Sequence, residues 1–390
     1  MQIEEVVLDF IEMPLKAPFE TSFGVDTQKT CWIVSLSSGG VTGYAESVAD
    51  VEPLYSEETH ASIYYAIKNH ILPRLAGVTL THPREVQTIL SPIRGNRMAK
   101  AAIEMALWDW WGRAHHLPLR ALIGGSPSKK EIPVGVSIGI QSSPDALIRV
   151  AEGYLKQGYR RLKVKIKPGQ DLVPLSALRE AVGPDILIMA DANSAYRLDR
   201  DLERLRQFDA LDLMMIEQPL DEDDYVDHAV LAAALKTPVC LDESIRSGDD
   251  ARRAIGLGAA GVINIKVGRV GGIASAQAVH NIAMQNNVPV WCGGMLETGI
   301  GRAFNVHLTT LPNFSLPGDT SASDRYFDED LIDAPFVLNA NGTLTVPEGD
   351  GIGVRPNPKR LSAVTAYHEA WNLSRPIQRG GVPDVRGLGF

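Results

Sequence analysis

Short apolar runs rich in β-branched residues recur from residue 132 onward, and their spacing limits the possible folds more than any other feature. IPVGVSIG (132–139), RLKVKI (161–166), ILIMADA (186–192), LMMIEQP (213–219), PVCLDE (238–243), VINIKV (262–267), PVWCGG (289–294) and, more weakly, FSLPGD (314–319) begin roughly every 24–29 residues. That interval holds one strand, one helix and two short loops. Intervening segments such as SPDALIRVAEGYLKQG and GGIASAQAVHNIAMQNN read as the helices. Eight such units close into a (β/α)8-type barrel, whereas fewer would form an open doubly wound sheet. After the eighth run, Pro317 and a polar loop leave the last helix undefined.

Residues 1–130 follow another pattern. The runs EEVVLDFIEM (4–13), TCWIVSLSS (30–38) and GVTGYAESV (40–48) read as strands, and MAKAAIEMALWDWWGRAHH (98–116) as a helix. This is an α+β domain ahead of a barrel over 131–324, and about 325–372 returns to it. Ala101, Met105, Trp108 and Trp111 recur every three or four residues, which makes them a core-facing stripe. The tail 373–390, rich in Gly, Pro and Arg, is expected to be loose.

A net charge of -9 argues against nucleic acid or an anionic membrane as partner. Cys31, Cys240 and Cys292 are odd in number and lie in apolar runs, which suggests reduced, buried thiols. MQIEEVVLDF has no basic segment followed by an apolar core, and no apolar run is long enough to span a bilayer. These features make a cytoplasmic protein the expectation.

Chemistry in such a barrel sits at the carboxyl ends of its strands. Consecutive strands three, four and five end in Asp191, Glu217 and Asp242. Carboxylates on adjacent strands repel unless a cation holds them, and oxygen-only ligands favour Mg²⁺ first and Mn²⁺ second. In LKVKIKPG (162–169), Lys163 and Lys165 alternate with Leu162, Val164 and Ile166, so both lysines face the barrel mouth while the aliphatic side chains face the helices. Lys167, before Pro168, is expected to be solvated. Strand six carries Asn264 and, on the same face, Lys266, and strand one offers Ser137, so Asn264 and Ser137 are expected to face the substrate. Strands two and six of eight lie across the axis, so Lys165 and Lys266 approach a metal-held ligand from opposite sides. Lys163 and the metal are expected to lower the pKa of Lys165 from about 10.4 toward that of a working base. The chemistry indicated is removal of a proton α to the carboxylate of a small molecule, the divalent ion stabilising the enediolate.

KVK, DAN, EQP, DES and NIK in this order, after the helix segment EMALWDWWGRA, resemble the muconate-cycloisomerase-like subgroup of the enolase superfamily. That resemblance implies a (β/α)7β TIM-like barrel closed by an α+β capping domain, with Asp191, Glu217 and Asp242 as Mg²⁺ ligands and Lys165 and Lys266 as the acid/base pair. It also implies that Asn193 and Glu243 flank the ligands. GGMLETGIGRA (293–303) and LPNFSLPGDTSASDRYF (311–327) are similar to the branch containing o-succinylbenzoate synthases and N-succinylamino acid racemases, placing Gly293, Gly294, Met295 and Leu296 near substrate. APFETSFG (17–24) and SVADVEPLYS (47–56) resemble the capping loops, which adds Phe19, Phe23 and Tyr55. Arg269, three residues after Lys266, resembles the racemase-capable members, and its charge is expected to tune Lys266 toward a neutral base. The family's habit implies a closed homo-oligomer. Dipeptide epimerase and muconate cycloisomerase are the alternatives, with a non-catalytic binding barrel more remote. Epimerases carry D-x-D on the eighth strand, where this chain has Asp319-Thr320-Ser321.

Overall fold

The computed structural model describes residues 1–22 and 24–375. Phe23 and residues 376–390 lie outside the described residues, and with them the expectations for Phe23 and for most of the tail.

The N-terminal runs form β1 (Glu5–Glu20), β2 (Val25–Ser38) and β3 (Val41–Glu46). The helix Arg97–Ala114 lies against this sheet so closely that a Cβ on Gly43 would fall 2.3 Å from the Ala106 carbonyl oxygen. Ala101, Met105 and Trp108 are buried as the stripe requires, and Trp111 is half-buried. Burial extends around the helix, because its other side meets the barrel. Glu104 accepts hydrogen bonds from the backbone N–H groups of Ile273 and Ala274, at the start of the helix Ile273–Gln285.

After the short β4 (Glu131–Pro133), the barrel follows as β5 (Val136–Ile138), β6 (Arg161–Lys165), β7 (Leu187–Asp191), β8 (Met215–Glu217), β9 (Val239–Leu241), β10 (Val262–Ile265) and β11 (Val290–Cys292). Two later strands are β12 (Thr343–Thr345) and β13 (Thr365–Asn372). β5 to β11 make one parallel sheet in chain order. The chain then returns, placing β13 beside β1 in a four-stranded antiparallel sheet ordered β13-β1-β2-β3.

Two runs differ from their reading as plain strands. IPVGVSIG breaks at Gly135: β4 pairs antiparallel with β12, and only β5 joins the barrel. The buried Arg161 side chain occupies the break, 2.6 Å from where a Gly135 Cβ would stand. The eighth run closes the barrel through isolated parallel bridges, Phe314 to Val290 and Gly318 to Val134. Pro317 between them has no N–H for a continuous ladder.

Inside the barrel, Met189, Met215, Cys240, Val262 and Trp291 form a buried apolar plug. All three cysteines are buried and unpaired. Among the described residues no helix is long and apolar enough to cross a membrane.

Candidate active site

Beyond the plug, the period-two alternation turns from apolar to polar on four successive strands. Met189 is followed inward by Asp191, Met215 by Glu217, Cys240 by Asp242, and Val262 by Asn264 and Lys266. Asp191 is paired in register with Lys165 on one side and Glu217 on the other. All of these polar groups are buried.

Burial on this scale demands partners. Lys163 Nζ lies 3.0 Å from Asp191, 3.3 Å from Glu217 and 2.8 Å from Asp319. Lys165 donates to Asp191 at 2.7 Å and to Asn193 Oδ1 at 2.6 Å. Lys266 donates to Asp242 at 2.8 Å and to the Tyr55 hydroxyl at 2.9 Å, with its ammonium 4.3 Å from the centre of the Tyr55 ring. Arg269 pairs with Asp242, donates to Tyr55 at 2.8 Å and donates to the Asn264 carbonyl at 2.8 Å.

Burial opposes charge on Asp191, yet Lys165 and Lys163 hold it well below the usual carboxylate range. Asp242 is lowered in the same way, burial being outweighed by Arg269 and Lys266. Glu217 goes the other way: burial, and then Asp191 beside it, push its carboxyl up. Burial and the neighbouring Asp242 raise Glu243 to about 7.

Two expected tuning roles look different in this setting. Lys163 is not a bare charge beside Lys165, since three carboxylates surround it. Lys266 is raised rather than lowered: burial disfavours its charge, but Asp242 more than compensates, and the opposing pull of Arg269 does not win. The partners responsible come from strands distant in sequence.

The donor chemistry fits a hard divalent ion. Asp191, Glu217 and Asp242 supply buried carboxylate oxygens on neighbouring strands, and Glu217 Oε2 accepts no hydrogen bond. As the side chains stand, no three described acidic, histidine or cysteine groups converge on one point. Ammonium groups lie among the carboxylates instead.

The cavity above is lined by Lys163, Lys165 and Lys266 together with Phe19, Tyr55, Ser137, Asn193, Gly294, Met295 and Leu296. Gly293 has to be glycine, because a Cβ there would lie 2.5 Å from the Asn264 amide and 2.7 Å from Lys266 Cε. Asn264 sits behind the wall rather than on it and donates to Glu217 at 2.7 Å. Asn193 donates to Glu243 at 2.7 Å. Lys167 is half-exposed, 3.4 Å from Glu20.

Thr21, Asp26, Asp50, Asp319 and Tyr326 also line the cavity and were not candidates in the sequence. For Asp319 a signal existed, since it ends the eighth run as Asp191 ends the third. Buried Arg161, in step with Lys163 and Lys165, was equally visible. Asp26 is the second residue of β2 and Asp50 follows β3, and neither position stands out by periodicity.

With this geometry in view, comparison with known proteins is direct. Residues 3–124 match the family model described as the mandelate racemase / muconate lactonizing enzyme N-terminal domain, and residues 146–360 match the enolase C-terminal domain-like model. An o-succinylbenzoate synthase from Geobacillus kaustophilus is 50% identical over 94% of this chain and 97% of its own length. An N-succinylamino acid racemase from Thermus thermophilus is 46% identical over 96% of this chain and 100% of its own. The crystal structure of an enolase-superfamily member from Listeria innocua superposes with a TM-score of 0.91 at 43% identity, covering 96% of this chain and 100% of that one. The chain therefore belongs to the enolase superfamily, with an N-terminal domain of the mandelate racemase / muconate lactonizing enzyme type.

Proposed function

We propose that the chain removes a proton α to a carboxylate, acting as an o-succinylbenzoate synthase, an N-succinylamino acid racemase, or both. The observation that carries this is that Lys165 and Lys266, from β6 and from the end of β10, line one cavity above three buried carboxylates. The curated relatives bear both names at similar identity, which supports keeping both reactions.

Enzymes of this family depend on a divalent metal. In this reading the metal is Mg²⁺, replaceable by Mn²⁺, held by Asp191, Glu217 and Asp242. When bound it supplies the charge that stabilises the substrate carboxylate as the α-proton leaves. The chain's own residues move the proton. In racemisation one of Lys165 and Lys266 takes the α-proton at Nζ, and the other, protonated, delivers one to the opposite face of the same carbon. In dehydration Lys165 takes the proton and returns it to the departing hydroxide, which leaves as water, while the Lys266 ammonium offsets the charge on the substrate. Asn193 orients Lys165, and the Tyr55 ring covers Lys266.

Dipeptide epimerisation is less well supported. Asp319, the one acid of the eighth run, is already engaged by Lys163, Arg161 and Ser137 rather than open to a free ammonium group. Cytoplasmic location and a closed homo-oligomer belong to the same proposal.

The test is proton exchange in D₂O with Mg²⁺, read by NMR on each enantiomer of an N-succinylamino acid. Both enantiomers are expected to exchange their α-proton. Exchange of one enantiomer only would sink the two-base assignment.

A further inference from the structure

Asp319 binds no reacting atom in the proposed reaction, yet it is among the most heavily engaged carboxylates in the molecule. Ser137 donates to its Oδ2 at 2.6 Å, and Lys163 Nζ lies 2.8 Å from the same oxygen. Arg161 donates to Oδ1 at 3.1 Å. Arg161 is itself fixed, donating to the Pro317 carbonyl at 3.0 Å with its guanidinium 5.2 Å from the centre of the Trp291 ring.

Lys163 thus stands between two sets of partners. On one side are Asp191 Oδ2 and Glu217 Oε2, and on the other is Asp319 Oδ2. A divalent ion held by Asp191 and Glu217 draws on the same oxygens as the Lys163 ammonium. Two cations competing for those oxygens in a buried site repel strongly, so one has to give way.

We propose that Asp319 is a positioning residue that draws Lys163 off the metal-binding carboxylates, with Arg161 and Ser137 holding Asp319 in place, so that Asp319 sets the affinity of the site for its divalent ion. The inference rests on the assignment of Asp191 and Glu217 as ligands. Without the Asp319 charge, Lys163 keeps only those two carboxylates as counter-charges, and an arriving ion must displace it.

The experiment titrates the metal-free, full-length protein with Mn²⁺ in the absence of substrate and follows free Mn²⁺ by electron paramagnetic resonance. Asp319→Asn is expected to bind Mn²⁺ about tenfold more weakly than wild type. In a Lys163→Met background the same substitution is expected to change affinity less than about twofold, because the competitor is gone. A merely structural Asp319 would not give this dependence on Lys163. Ser137→Ala, which loosens Asp319 without changing charge, is expected to weaken binding by about threefold and carries the test if Asp319→Asn does not fold. Unchanged affinity in the variants overturns the proposal. So does a loss of equal size with and without Lys163, which marks a general charge effect. A wild-type protein that takes up no Mn²⁺ overturns the ligand assignment, and this inference with it.

Discussion

The floor and the lid of the cavity are built by different rules. Lys163, Lys165, Ser137, Lys266 and Asp319 on the floor come from the barrel strands or their immediate ends, whereas Phe19, Thr21, Asp26, Asp50 and Tyr55 on the lid come from β1, the start of β2 and the N-terminal domain's loops. Adjacent strands stand about 4.8 Å apart and their side chains alternate strictly, so register alone brings opposite charges together on the floor. Asp191 between Lys165 and Glu217 is the clearest case. The lid has no such ruler. It is fastened at separate points, among them Tyr55 on Lys266 and Asp242, and Lys29 donating to the Met295 carbonyl at 3.0 Å. The difference implies that the floor decides whether reaction occurs and the lid decides how well substrate is held.

The largest effects should therefore come from the floor. Lys165→Ala is expected to lower kcat for both racemisation and dehydration by about 10³-fold or more. Lys266→Ala should lose racemisation to the same extent and keep more of its dehydration, because there the ammonium acts only by its charge. Steady-state rates for both reactions on each variant separate these outcomes. A Lys165→Ala protein that still dehydrates would remove the floor's claim to the chemistry. Chelation of divalent ions should abolish both activities, and Mg²⁺ should restore them.

Next in size is the fastening of the N-terminal domain to the barrel. Burial pushes the Glu104 carboxyl up to about 7, against the hydrogen bonds it accepts from Ile273, Ala274 and Trp108. An unfolded glutamate titrates near 4.3, so between roughly pH 4.3 and 7 the folded chain holds a proton that the unfolded chain has lost. Stability from this group is therefore greatest at low pH and falls as pH rises, by up to about 4 kcal/mol, then levels off above pH 7. Glu104→Gln should remove that part of the slope, as read from denaturant midpoints between pH 5 and 8. An unaltered slope would show that Glu104 stays ionised throughout.

How much of this was legible in the sequence follows from the same contrast. Period-two alternation made the inward lysines of β6 readable, and the even spacing of the runs made the barrel readable. Both are local patterns that survive without coordinates. Unreadable was what each inward group touches, since Lys163 meets Asp191, Glu217 and Asp319 from three other parts of the chain. In the sequence its visible neighbour is Lys165, and these partners do not show. Alternation with Lys266 places Asn264 on the cavity wall, but its amide turns to Glu217 across the sheet. The break at Gly135 was hidden because nothing near 132–139 announces that Arg161 will fill it. Asp26 and Asp50 come together in the lid only through the fold.

The two smallest effects sharpen the contrast at its boundary. Gly293→Ala adds one methyl group to the floor, where it would press on Lys266 Cε and the Asn264 amide. If Lys266 moves the proton as proposed, displacing its amine by a fraction of its reach is expected to cost about 10²-fold in kcat with little change in stability beyond the clash itself. Tyr55→Phe removes one hydroxyl from the lid. Lys266 and Arg269 keep Asp242 as a partner, and the aromatic ring under Lys266 remains, so only hydrogen bonds to a buried hydroxyl are lost. The expected cost is about 1 kcal/mol, or roughly fivefold in kcat/KM. A loss from Tyr55→Phe as large as that from Gly293→Ala would mean that the hydroxyl positions Lys266 for proton transfer. The line between floor and lid would then have to be redrawn with Tyr55 on the catalytic side.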